Sequence, residues 1–526
     1  MAKTKYNLGA EARYSHLNFL VTLNDCKMED FTNLYDRFDS LESWHDLTPE
    51  LKHLHLKIRH EEDHHRMLNS TVVGSFLWLL DQVILRDVSY LSQKTADTGI
   101  YESPFEPVLN DKTKLELVLS ELGPVYSKVF LNAKNGLENL LFVRKVLVGR
   151  KSYHEFRDLT CGKFSESLNN ALVYMSDRLG VDKPPRFEPR NPFSPVFDND
   201  ESFNARDIFE CHAIIMEIAA AQTYGDQTSV NLILDRASQG PFSFLFEQLQ
   251  SRFRSEVKNL SGISTASANT VLLLSLCVPL LPSLDVADRY NFDGLIPLLA
   301  NASMEDVLPW KIVSKALKDG TEKGVAYQGN DLALAYSSIC VRACTPLFTT
   351  EAKWSEIPLI QGIEDLTELG IRDHAQVNGA IALNTACFVI HQGLSQTVEI
   401  LGDLVNPKID RGAMMKKWSE LDMRFRKSFP VYELEDQFWI NLNNELLNRV
   451  DVGGLNLSEG LEQLFTSNVS IAFANLFHLV VEDQIFTRYF DWLQPMNYEK
   501  HLRKLETLGE NNPWGNFEKG SRLAGE

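Results

Sequence analysis

The chain has 526 residues, 44% of them hydrophobic, with a formal net charge of -19 and a pI near 5.2. That length and apolar content suffice for one large core and roughly two to four domains, which excludes disorder as a global description. The acidic balance sets up a field that repels phosphates, which argues against a general nucleic-acid or anionic-membrane binder.

The opening stretch, MAKTKYNLGAEARYSHLNF, lacks an apolar segment followed by a small-residue cleavage site, so no secretory signal is expected. Residues 17–23, LNFLVTL, read as a short strand with Leu17, Phe19, Val21 and Leu23 on one face. A helix start is marked at Thr48-Pro49-Glu50: Thr48 caps, Pro49 suits the first helical position, and Glu50 complements the helix N-terminus. Leu51, Leu54 and Ile58 then form a stripe that continues by helical steps to Glu61, His65 and Leu68, aiming Glu61 at the core. After Gly74 an apolar helix runs to about residue 91, and 95–111 reads as loop. Two helices follow, divided at Gly123-Pro124 and ending near Gly149, and a third covers about 163–179. Residues 181–200, rich in proline and phenylalanine, form a long structured loop or a boundary.

From about Phe203 a helix begins, ARDIFECHAIIMEIAAAQTYGD, apolar nearly all round except for Glu210, His212 and Glu217. Such a helix is buried, and its acids need a cation, a metal or a strong donor. Further helices are expected at about 241–258, 266–279, 306–318, 330–343, 377–402, 412–427, 432–449 and 458–492. The longest apolar run, Val271–Leu284, contains Pro279 and Pro282 and falls short of the ~20 residues of a membrane helix. Seven scattered cysteines, including Cys340 and Cys344 at helical spacing, suit reduced core thiols and a cytoplasmic location.

The stretch with the most chemistry is IRHEEDHHRMLNSTVVG, residues 58–74. His60 and His64 stand one helical turn apart, so both imidazoles can reach one metal ion, with Glu61 beside them to take a proton from water. Zinc is the expected metal and Glu210 the expected third ligand, because its charge in an apolar helix demands compensation. Glu217 is a candidate for orienting a ligand histidine, and His212 either supports the site or is a hydrogen-bonded core residue. Tyr224, or a distant histidine such as His391 or His478, is the candidate stabiliser of a developing oxyanion.

HEEDHHRMLNSTVVG resembles the active-site helix of HExxH metallopeptidases in which Ser-Thr-x-x-Gly follows the second histidine, here Ser70, Thr71 and Gly74. Glu210, Ala213 and Glu217 are similar to the Glu-x-x-Ala-x-x-x-Glu setting of the acidic ligand. The resemblance is to gluzincin-type zincins. It implies a mainly α-helical protein with a minimal zincin-like α/β element near its N-terminus, a zinc ion, and a peptide or protein substrate. Residues 1–240 would hold the metal site and 241–526 a further helical domain. The helical wheel puts Glu62 on the flank and Asp63 on the far side, both solvated, and His53 and His55 are read as ordinary surface residues.

A ferritin-like di-iron protein is one alternative, since Glu61/His64 and Glu62/His65 are ExxH pairs. That class needs a second ExxH on a separate helix, whereas Glu42/His45 and Glu50/His53 lie in the same local segment. A catalytically inactive zincin-like scaffold that binds proteins is the other.

Overall fold

The structure is a computed structural model that describes residues 12–16, 20–23, 26–27, 29–31, 34, 44–98, 112–150, 152–179, 186–198, 202–240, 242–252, 265–276, 303–306, 308–322, 431–434, 437–439, 451–452 and 455–456. These residues are mainly α-helical. In chain order they form β1 (Ala12–Ser15), β2 (Leu20–Leu23), α1 (Pro49–Ser70), α2 (Val72–Asp97), α3 (Lys112–Val148), the single turn α4 (Ser152–Glu155) and α5 (Cys161–Leu179). Then come α6 (Ala205–Thr223), α7 (Gln227–Gln239), α8 (Ser243–Arg252), α9 (Thr265–Leu276) and α10 (Pro309–Glu322), followed by β3 (Val431–Leu434), β4 (Gln437–Trp439), β5 (Asp451–Val452) and β6 (Leu455–Asn456).

Local chemistry explains the main boundaries. Thr48, in extended conformation, accepts from the Leu51 amide, and Pro49 occupies the first turn of α1. Thr71 ends that helix with an extended backbone; its Oγ1 donates to the Met67 carbonyl at 2.7 Å and accepts from the Gly74 amide at 3.1 Å, so one side chain closes α1 and caps α2. Gly74 sits so close to the end of α1 that a Cβ would lie 2.1 Å from the Leu68 carbonyl oxygen. Gly74→Ala is expected to lower the unfolding free energy by about 3 kcal/mol, the upper part of the overpacking range, because backbone rather than a movable side chain must yield. Chemical denaturation reads this as a reduced midpoint, and an unchanged midpoint would show that the corner relaxes freely.

In α3 the expected break falls at Gly123, whose φ of 71° and ψ of 170° interrupt the helix before Pro124. Asn204 caps α6, accepting from the Arg206 and Asp207 amides while Asp207 reaches back to the Asn204 amide. Two buried acids tie α2 to its neighbours: Asp81 accepts from Arg144 of α3 at 2.7 Å, and Asp87 accepts from Tyr174 of α5 at 2.6 Å and from Arg178. The described part of the proline-rich segment is a structured loop. Its Val196 carbonyl accepts from the Trp310 indole at 3.0 Å, and Phe197 stacks on Trp310.

The sheet is small, in order β1-β2-β3-β4. β1 and β2 are antiparallel, β2 and β3 parallel, and β3 and β4 antiparallel, with Val21 opposite Tyr432. The strand expected at 17–23 is described over Leu20–Leu23. The helix expected at 432–449 is corrected: its start is strand, because Tyr432 pairs with β2 and is buried against Phe31 at 4.7 Å. Pairing with a remote strand overrides the local helical pattern. Helix α7 was not expected, although Asp226 caps it and Gly240 ends it.

Among the described residues a hydrophobic core includes residues from Trp44 to Leu317, in which Leu245, Leu249 and Leu272 join the residues of α6. The helices expected at 330–343, 377–402, 412–427 and 458–492, together with His391, His478, Cys340 and Cys344, lie outside the described residues. No described helix is long and apolar enough to cross a membrane.

Candidate metal centre

Helices α1 and α6 pack side by side in opposed directions. Lys52 approaches Asp226 at 3.9 Å towards one end of the pair, and Arg66 reaches His212 towards the other. Between these contacts α1 presents His60 and His64, one turn apart, and α6 presents Glu210 and Glu217, two turns apart.

The Nε2 atoms of His60 and His64 are 3.0 Å apart, and each lies 3.5 Å from Glu210 Oε2. These are the three residues among those described whose ligand atoms cluster closely enough to hold one ion. A point about 2.0–2.1 Å from all three atoms exists, roughly 0.7 Å out of their plane, which is the bond length and displacement of a tetrahedral zinc site with a fourth position left over. The donor set, two imidazoles and a carboxylate, is also one that zinc takes.

Charge points the same way. Burial works against the charge on Glu210, but the His64 and His60 imidazoles hold its carboxyl well below the usual range. Burial also disfavours a proton on His60, yet hydrogen bonds to Glu210 and Glu217, with the charges of Glu217 and Glu61, hold its pKa well above the ordinary histidine value. Two carboxylates thus demand positive charge at His60, which a proton or a metal ion can supply.

His60 Nδ1 lies 2.6 Å from Glu217 Oε1. Glu217 is buried, and Arg236 of α7 donates through Nη2 to Oε1 at 2.6 Å and also to Oε2. Burial opposes the Glu217 charge; Arg236 and His60 outweigh it and keep the carboxyl below its normal pKa. Glu61 is buried beside the triangle but outside it, and among the described residues its carboxylate has no hydrogen-bond or ion-pair partner. Burial raises its pKa, partly offset by His60 and His64, with Glu210 and Glu217 adding to the rise. Lys57, one turn before Glu61 on the same face, is pushed down to about 8 by burial and by Arg236, against the pull of Glu217 and Glu61.

His212 is not at the centre. Its Nδ1 lies 2.6 Å from Asp63 Oδ2, and Arg66 donates to the other Asp63 oxygen at 3.1 Å, making a buried network between α1 and α6. Tyr224 is also elsewhere: it follows Glu210 by fourteen residues, about 20 Å along the helix, and stacks on Trp44 at 4.4 Å. A role beside the His60, His64 and Glu210 cluster is out of its reach.

Three surface assignments are corrected. Asp63 is fully buried in the network just described, and Glu62 is buried, accepting from the Tyr432 hydroxyl of β3 at 2.7 Å and facing Arg59 at 3.6 Å. His55 is buried with its ring edge against Trp44 and Tyr224. The stripe along α1 is buried at Ile58, Glu61 and His65, while Leu51 and Leu54 are half-buried. His65 faces the sheet, where the Tyr14 hydroxyl meets its Nδ1 at 3.0 Å and Asn69 donates to that hydroxyl. Burial and the neighbouring His16 push the His65 pKa down to about 3, so it is neutral there.

Arg236 and Lys57 were missed in the sequence. Arg236 could have been found only by recognising α7 between Asp226 and Gly240. No protein-family model, curated protein or solved structure matches the chain.

Proposed function

We propose that the chain is a zinc-dependent hydrolase, a metallopeptidase of zincin type acting on a peptide or protein, with a minimal α/β element formed by α1 and the small sheet. The observation that carries this reading is the triangle of His60, His64 and Glu210, whose three ligand atoms suit one tetrahedral ion. Zinc bound there supplies a Lewis acid that polarises a carbonyl and makes water more acidic. Glu61, outside the triangle and raised in pKa, takes the proton from the attacking water and passes it to the leaving amine. Glu217 holds His60 at Nδ1 and so fixes which ring nitrogen faces the ion. The second ExxH pair is otherwise engaged, Glu62 with Tyr432 and His65 with Tyr14 and Asn69, which favours one metal over a di-iron pair. A cytoplasmic location belongs to the same reading, as Cys26, Cys161 and Cys211 are buried free thiols.

Metal analysis of the purified chain tests it. One zinc per chain, with chelator-sensitive cleavage of an unfolded protein substrate, is the expected result. About two irons would turn the assignment to the di-iron class, and absence of any metal would leave the scaffold reading.

A further inference from the structure

We propose that Arg236 is a positioning residue of the metal centre, acting through Glu217 to hold His60 with Nε2 turned toward the ion. The inference rests on the zinc reading above and deepens it by adding a third layer, supplied by a helix that carries none of the ligands.

An imidazole held at one nitrogen can still tilt about its side-chain bonds. A hydrogen bond at the other nitrogen fixes its plane and tautomer. Glu217 Oε1 provides that bond at 2.6 Å, and the same oxygen accepts from Arg236 Nη2 at 2.6 Å, so imidazole and guanidinium meet on one atom. The second oxygen of Glu217 also accepts from Nη2, which leaves the carboxylate little freedom to rotate. Nothing else along α6 would steer it, since its neighbours there, Ile214, Ile218 and Ala221, are buried and apolar.

The guanidinium is delivered by a stiff corner. Gly225, at a φ of 68°, turns the chain after α6, and Asp226 caps α7 by accepting from the Ser229 amide at 3.0 Å. Asp226 also accepts from the Trp44 indole at 3.2 Å, which anchors the corner to the segment before α1. Val230, Ile233 and Ala237 bury the inner face of α7, and Arg236 extends from that helix to Glu217.

The sign of the effect separates positioning from simpler roles. If Arg236 acted only as a nearby cation, removing it would tighten the binding of a divalent ion by relieving repulsion. If it served only to neutralise a buried carboxylate, its loss would lower stability and leave the zinc affinity of the folded protein unchanged. Positioning requires weaker zinc binding.

The test is chelator competition for zinc by the full chain, with circular dichroism to confirm folding and the visible spectrum of the cobalt-loaded protein as a report on ligand geometry. Arg236→Met is expected to weaken zinc binding about 10- to 100-fold, as outer-layer changes do, and to shift the cobalt spectrum. Arg236→Lys should recover part of the loss, because a single nitrogen spans both oxygens in the native pair. The double variant Glu217→Gln/Arg236→Met should bind zinc no more weakly than Glu217→Gln alone, since Arg236 acts through Glu217. It also removes the orphaned buried charge, so it remains informative if Arg236→Met does not fold. Unchanged or tighter binding in Arg236→Met, or losses that simply add in the double variant, would overturn the proposal while leaving the zinc site intact. A wild-type chain that binds no zinc would overturn the zinc reading and this inference together.

Discussion

If the His60, His64 and Glu210 triangle holds zinc as proposed, alanine at His60 is expected to strip the chain of stoichiometric zinc while leaving its helices folded. The substitution removes one corner of the triangle, leaving His64 and Glu210 as an open pair with no third donor among the described residues. The loss of affinity should exceed the roughly 100-fold that outer-layer changes reach, because a direct ligand is gone. Folding is expected to survive: Glu217 keeps Arg236 as its partner, and Glu210 is partly exposed and can be hydrated. Zinc per chain after gel filtration, measured beside a circular dichroism spectrum, checks both halves, and full zinc content in His60→Ala would remove His60 from the ligand set. At the proposed site zinc would compete with a proton. Because Glu210 and Glu217 raise the His60 pKa in the metal-free protein, apparent zinc affinity in the wild type should weaken as pH falls through the neutral range.

What the sequence disclosed follows the range of the interactions involved. The start of α1 was legible because Thr48, Pro49 and the Leu51 amide are neighbours, and the break at Gly123-Pro124 because proline lacks a donor wherever it stands. Glu210 and Glu217 stood out as charges in an apolar helix, and the structure brings both to His60. The far side of α1 was not legible. A helical wheel assumes one buried face, but Asp63 is covered by α6 and Glu62 by Tyr432, which is 370 residues away in sequence. Tyr432 itself lay in a segment whose pattern suggested helix, and only its pairing with β2 makes it strand. His55 was misread for a related reason: the aromatic cage that buries it joins Trp44 to Tyr224, and nothing local to His55 announces either.

Those contacts also show why α1 can carry so many charges. Five polar residues of its second half meet partners on other elements: Glu62 the sheet, Asp63 and Arg66 the His212 network, His65 and Asn69 the Tyr14 hydroxyl. Buried polar groups supplied in this way fix the rotation of the helix about its axis, since a turn in either direction would orphan several of them at once. The direction in which His60 and His64 point is thereby set from two sides, by the sheet and by the His212 end of α6, through residues that are not themselves ligands.

Under the proposed zinc-hydrolase reading, glutamine at Glu61 is expected to keep the zinc and remove the hydrolysis. Glu61 contributes no atom to the triangle, and among the described residues its carboxylate bonds to nothing, so the amide, nearly identical in shape, should leave metal content and affinity close to wild type. Stability should not fall either, because the change removes a buried charge that burial already disfavours. Basicity is what disappears. Burial raises the Glu61 pKa in the metal-free protein, so its carboxylate is a stronger base than an exposed one, whereas an amide has no such capacity. Turnover should drop about 10²- to 10⁴-fold, with KM little altered if the loss lies in the chemical step. Unchanged turnover in a zinc-loaded Glu61→Gln chain would eliminate Glu61 as the general base. The contrast with His60→Ala is the sharper test, because one variant should lose the ion and its activity together, whereas the other should lose activity with the ion still in place.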